Sequence, residues 1–145
     1  YSRCRNFHKA CKIIVNDYDG EFPSNYQKFR LLPGVGDYTA SAVFSIGLKQ
    51  TYAATDGNVT RVMSRVLRIK NITNRNKKRI NNTLIKWMDR ERPGDINQAL
   101  MDLANKICRV NHAQCSICPI DEICMANKMS ITKSNITRAV QSYLK

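Results

Sequence analysis

Four cysteines crowd into the 17 residues from Cys108 to Cys124, in the pattern Cys108-x6-Cys115-x2-Cys118-x5-Cys124. This spacing constrains the chain more than any other feature. Four thiolates from one short loop can close a tetrahedral zinc site or ligate an iron–sulfur cluster, and both uses demand a loop of fixed shape. A disulfide framework is the poorer account, since the chain shows no signal-peptide pattern. The spacing leaves zinc and iron–sulfur open; Cys118-Pro119 is compatible with a cluster loop without being diagnostic. His112 falls between the first two cysteines, but four cysteines suffice without it. The other two, Cys4 and Cys11, stand seven residues apart and read as small core-facing residues of a helix.

The 145 residues are enough for one modest domain with a real core, and 43% hydrophobic content fits a globular chain. No apolar run approaches the roughly 20 residues that span a bilayer. The net charge is +13, from 24 basic and 11 acidic residues. Its densest run holds Arg68, Lys70, Arg75, Lys77, Lys78 and Arg79 with no acid. Such a field draws polyanions, and nucleic acid first among them. The basic residues do not line one long amphipathic helix, which weighs against a membrane surface. The chain opens on Tyr1, inside a helical pattern, and reads as a fragment or a processed product.

Apolar spacing predicts helices and no alternating strand. Residues 2–18 set Cys4, Phe7, Cys11, Ile14, Val15 and Tyr18 on one face, and Asp19-Gly20 ends that helix. Ser24 caps a short helix carrying Tyr26, Phe29 and Leu32. A helix over 57–69 turns Val59, Val62, Met63, Val66 and Leu67 inward and Arg61, Arg65 and Arg68 outward. Another over 75–90 buries Ile80, Leu84, Trp87 and Met88. Pro93-Gly94 breaks the chain, Asp95 caps the next helix, and Ile96, Ala99, Leu100, Leu103, Ile107 and Val110 form its stripe. Residues 134–145 read as a last short helix.

Two further stretches carry chemistry. In Leu32-Pro33-Gly34-Val35-Gly36, Pro33 stops a helix and the glycines permit a tight turn into the next one, which Ala40, Val43, Phe44 and Leu48 bury. Backbone N–H groups in such a turn can reach a phosphate, helped by the positive end of the second helix. A simple helix–helix turn is an equally good account of the glycines alone. Asp56, in Thr55-Asp56-Gly57-Asn58, is first an N-cap. A carboxylate so placed is also suited to stabilising an oxocarbenium-like sugar.

Taken together, Leu32-Pro33-Gly34-Val35-Gly36-x-x-Thr39-Ala40, Asp56-Gly57-Asn58-Val59-x-Arg61-Val62 and the cysteine loop resemble the helix-hairpin-helix DNA glycosylases. More closely they are similar to adenine DNA glycosylases of the MutY type, as are residues 1–10 and Asn97-Gln98-Ala99-Leu100-Met101-Asp102-Leu103. The likeness covers roughly residues 1–127. It implies an all-α helix-hairpin-helix glycosylase fold: residues 1–92 are part of a six-helix domain with the hairpin near 29–48, 93–127 a cluster subdomain, and 128–145 a tail or linker.

The resemblance also implies roles. Gly34, Val35, Gly36 and Thr39 grip the DNA backbone, with Arg61 and Arg109 as further DNA contacts. Asp56 is the catalytic acid and Asn58 orients it. Cys108, Cys115, Cys118 and Cys124 ligate a [4Fe–4S] cluster. Tyr38 holds the hairpin position where bifunctional relatives carry a lysine. Without that amine, Schiff-base chemistry has no nucleophile, so a monofunctional hydrolase is implied. The implied activity is removal of adenine opposite 8-oxoguanine or guanine from duplex DNA after base flipping, by a monomer with no membrane role. Its place is the bacterial cytoplasm with the nucleoid, or the nucleus or mitochondrion of a eukaryote. Two parts of the family's machinery are expected outside these residues. One is the general-acid glutamate, which Glu21, Glu91 and Glu122 do not match in context; the other is the 8-oxoguanine reader domain. A DNA-binding remnant without catalysis and a thymine or uracil mismatch glycosylase are the alternatives.

Overall fold

The computed structural model describes residues 1–128, so the helix expected over 134–145 lies outside the described residues. Among these residues the regular structure is helical, with one isolated bridge between Cys108 and Ala113. None of the described helices is long and apolar enough to cross a membrane. The described residues form two compact units that interleave in sequence, residues 1–54 with 87–97 and residues 55–86 with those from 98 on.

In the first unit, α1 (Ser2–Asp17) ends where Gly20, at φ +79°, returns its N–H to the carbonyl of Ile14 at 3.0 Å. This left-handed exit is the usual way a helix closes on glycine. Asn25, one residue beyond the expected Ser24, caps α2 (Tyr26–Arg30) by accepting from Lys28 N at 3.0 Å. The hairpin then opens α3 (Asp37–Ala42), which continues into a wider π-helical turn over Val43–Gly47. Ala10, Phe29, Leu32, Ala40 and Phe44 form the core, with Ile13, Ile14, Tyr18, Tyr26, Val35, Val43 and Tyr52 packed on it. Three aromatic rings tighten it, Tyr26 stacking on Tyr52 at 4.2 Å while Phe44 meets Tyr26 and Tyr52 edge-on.

The buried face of α1 is narrower than expected. Cys4, Phe7 and Val15 are exposed and Cys11 is half-buried, so the two cysteines are not core residues. The core engages α1 through Ala10, Ile13, Ile14 and Tyr18, which lie on an adjoining face of the helix.

In the second unit, α4 (Gly57–Val66) buries Val59, Val62, Met63 and Val66, and α5 (Asn74–Trp87) buries Ile80 and Leu84. Helix α6 (Gly94–Lys106) begins in the first unit and continues into the second. Its buried positions are Asn97, Leu100, Leu103 and Ala104 rather than the full expected stripe; Ala99 and Val110 are exposed. The helix stops at Lys106, so Val110 belongs to the loop beyond it.

Asn97 is the polar member of that buried face. Its Nδ2 donates to Ser45 Oγ at 2.8 Å and to the carbonyl of Tyr52 at 2.9 Å, and its Oδ1 accepts from Ala54 N at 3.1 Å. With no solvent access, these bonds satisfy groups that would otherwise be orphaned. They anchor residues 52–54, the stretch that leads directly to Asp56. Gly94 sits against the π-helical turn so closely that a Cβ there would stand 2.7 Å from Ile46 Cα.

Candidate catalytic and cluster site

Helix α4 positions the candidate acid. Asp56 is its N-cap in extended backbone, with φ −98° and ψ −173°. Its Oδ1 accepts from Val59 N at 2.7 Å, and its Oδ2 accepts from Asn58 Nδ2 at 3.1 Å. Both carboxylate oxygens are thereby aimed by the helix start itself, which also favours negative charge there. Capping and a catalytic role are therefore compatible in one residue.

Asn58 is held in turn, its Oδ1 accepting from Arg61 Nη1 at 2.8 Å. Arg61 also donates through Nε to the carbonyl of Cys108 at 3.2 Å and through Nη2 to that of Ala104 at 3.0 Å. One turn on, Arg65 donates through Nη1 to the carbonyl of Arg109 at 2.7 Å and to the sulfur of Cys108 at 3.1 Å, and through Nη2 to the carbonyl of Val110 at 2.8 Å. The last turn of α6 and the loop after it leave carbonyls without backbone partners, and two guanidinium groups supply the missing donors. Arg61 and Arg65 therefore do not point outward as a helical wheel suggests. All three nitrogens of Arg61 donate within the chain, and its side chain is half-buried. Arg109 is exposed, its Nε donating to the carbonyl of Asn105 at 3.2 Å.

The result is a continuous hydrogen-bonded path within the second unit: Asp56, Asn58, Arg61, the carbonyl of Cys108, then Arg65 and the Cys108 sulfur. Arg65 carried no sequence signal beyond its i+4 spacing from Arg61. Asn97 could have been noticed as a polar residue on an apolar helix face.

All four loop cysteines line one cavity of about 290 Å³, together with apolar side chains that include Val62, Val66, Ile107 and Ile120. Among the described residues no group of three or more His, Cys, Asp or Glu side chains is arranged to hold a metal ion. All four cysteines instead contribute to the lining of that one cavity. Burial pushes the Cys118 thiol up; the backbone N–H of Ile120 opposes this, and the neighbouring Cys108, Cys124 and Cys115 reinforce it. Four thiolates this near one another repel, and a cationic metal centre is what reverses that balance. The donor set and the cavity fit a thiolate-ligated cluster.

The hairpin belongs to the first unit. Gly34 takes φ +81°, and a Cβ there would stand 2.9 Å from Asn6 Cβ, so both backbone angle and space require glycine. Val35 N donates to the carbonyl of Leu32 at 3.0 Å, while its side chain packs on the core. Gly36 is the N-cap of α3. Tyr26 clamps the two helices by a hydroxyl contact with Ser41 Oγ at 3.0 Å and by donating to the carbonyl of Asp37 at 3.3 Å, and an Arg30–Asp37 ion pair adds to this. Gly34, Gly36, Tyr38 and Thr39 are exposed, so the turn presents its backbone to solvent.

No family model matches the chain. The fold is that of the helix-hairpin-helix DNA glycosylases. A thermostable thymine-DNA glycosylase superposes with a TM-score of 0.77 at 28% identity, over 86% of this chain and 58% of that one. Endonuclease III in a trapped covalent DNA intermediate gives 0.73 at 26% identity, over 90% and 60%. Within this class the sequence is similar to adenine DNA glycosylases: that of Schizosaccharomyces pombe is 43% identical over 87% of this chain and 28% of the relative, and that of Homo sapiens 36% identical over 88% and 24%. The chain thus spans about a quarter of the length of these curated relatives.

Proposed function

We propose that the chain is the hairpin- and cluster-bearing part of an adenine DNA glycosylase, acting on adenine opposite 8-oxoguanine or guanine in duplex DNA. The observation that carries this reading is the Asp56 carboxylate, held by Val59 N at 2.7 Å and by Asn58 Nδ2 at 3.1 Å at the start of α4. The bond to be cut is inaccessible in the base stack, so the adenine is flipped out before reaction. As the N-glycosidic bond lengthens, positive charge develops on the sugar, and the Asp56 carboxylate stabilises it. Asn58 keeps that carboxylate aimed. The exposed hairpin backbone at Gly34 and Gly36, with Thr39, holds a phosphate, and exposed Arg109 adds a second contact. Tyr38 in α3 offers no amine, which makes the reaction a hydrolysis without strand scission.

Departure of adenine is assisted by a proton from a general acid. Glu21, Glu91 and Glu122 are all exposed, so this reading assigns the proton to a residue of the whole protein outside these 145. Cys108, Cys115, Cys118 and Cys124 would hold a [4Fe–4S] cluster, which chiefly fixes the loop and positions DNA. Acting on duplex DNA places the protein with the genome, in nucleoid, nucleus or mitochondrion.

The deciding experiment is single-turnover excision by the full-length protein and its Asp56→Asn variant on adenine opposite 8-oxoguanine. Activity should fall to background with binding retained; near-wild-type excision by the variant overturns the assignment. The likeness to a thymine-DNA glycosylase keeps a mismatched-thymine substrate as the second reading. Competition among mismatched duplexes separates the two.

A further inference from the structure

Between Gly57 and Met88 the chain holds no acidic residue, and α5 lies in the middle of this stretch. Arg75, Lys78, Arg79, Asn82 and Lys86 occur there at i, i+3, i+4, i+7 and i+11, which gathers them on one face of the helix. All five are exposed, whereas Ile80 and Leu84 bury the opposite face. No ion pair of the described residues involves these four cations. Arg75 and Arg79, and Arg75 and Lys78, are like-charged neighbours on a helix surface, an arrangement that destabilises an isolated helix. A solvated surface helix normally mixes signs along such a face; this one does not.

We propose that this face of α5 is a second DNA-binding surface that takes the phosphate backbone of undamaged duplex without reading bases. The inference rests on the reading of the protein as a DNA glycosylase. Lengths agree: Arg75 to Lys86 spans about 16 Å of helix, close to the axial rise of five nucleotides at roughly 3.4 Å per step in one strand. Four cations along that length can each meet a phosphate, and Asn82 adds an amide donor between them. A lipid surface fits less well, because the apolar face of this helix is already buried in the chain and cannot enter a membrane. The consequence is a salt-sensitive hold on DNA away from a lesion, which keeps the protein on the duplex while it searches.

The test uses the full-length protein and a variant combining Arg75→Gln, Lys78→Gln, Arg79→Gln and Lys86→Gln. Affinity for undamaged duplex is measured across salt concentrations, together with single-turnover excision at saturating enzyme. Four lost phosphate contacts should flatten the slope of log affinity against log salt by roughly 3 to 4, with the excision rate unchanged. An unchanged slope in the variant overturns the proposal while leaving the glycosylase reading intact. Absence of DNA binding by the unaltered protein overturns the glycosylase reading itself. Circular dichroism on the variant guards against a lost helix: if helicity drops, each substitution is repeated singly, and the proposal then requires a slope change of about one per site.

Discussion

Arg65 donates one guanidinium nitrogen to both the sulfur and the carbonyl oxygen of Cys108, at 3.1 and 3.3 Å. A helix that starts at the candidate catalytic acid thus ends its first two turns gripping the first cysteine of the loop. The grip depends on a planar fork that reaches several acceptors at once, which a lysine cannot reproduce.

Arg65→Lys should therefore keep the charge and lose the fit. Iron and sulfide analysis of the purified protein should show lower cluster content than wild type, with helical content unchanged. Full cluster content in this variant would mean that the cysteine loop holds its shape without the fork.

Asn58 lies between Asp56 and Arg61, with a bond to each at 3.1 and 2.8 Å. Asn58→Ala should slow single-turnover excision by roughly 10- to 100-fold, the scale expected from a misaimed catalytic group. Affinity for the substrate duplex should change little, because Asn58 touches the acid rather than the hairpin. An equal loss in binding and rate would point instead to a collapsed α4 start.

Asn97→Ala removes three hydrogen bonds from a site without solvent access. Leaving the buried Ala54 N–H without a partner, and the half-buried Tyr52 carbonyl without its donor, should cost roughly 2–4 kcal/mol in chemical denaturation. Because residues 52–54 lead into Asp56, excision should fall along with stability. Asn97→Asp should be no more stable than the alanine variant at neutral pH, because it buries a carboxylate that cannot donate to the Tyr52 carbonyl.

Gly34→Ala meets two obstacles, a φ of +81° and Asn6 Cβ at 2.9 Å. The backbone angle alone should cost about 1–2 kcal/mol. The close approach should add to it, and affinity for duplex DNA should weaken because the turn can no longer present its N–H groups. Asn6→Gly relieves the crowding but not the angle; because glycine inside α1 carries its own cost, the crowding is read from the double-mutant cycle that includes Asn6→Gly alone.

The most local features were legible from residue order. Asp56 caps α4 because its side chain, three residues before Val59, reaches the third N–H of the helix, one of those without a helical partner, a relationship contained in four consecutive residues. The hairpin, the breaks at Gly20 and Pro33 and the crowding of the cysteines are equally local, as is the all-helical class that the apolar spacing predicts. Tertiary contact decided what such spacing leaves open. A helical wheel turns Arg61 and Arg65 outward because they are charged; the structure turns them inward because the last turn of α6 and the loop after it offer carbonyls that need donors, and these lie more than 40 residues away in sequence. The same holds for Asn97, whose three partners come from a distant turn and loop. It also holds for Cys4 and Phe7, apolar by pattern and exposed because the core meets α1 on its adjoining face. Sequence by itself determined the helical class, the hairpin and the cap at Asp56, since these depend on neighbours a few residues apart. Only the tertiary structure decided that the acid and the first cysteine share one hydrogen-bonded path, because unsatisfied groups far apart in the chain meet there.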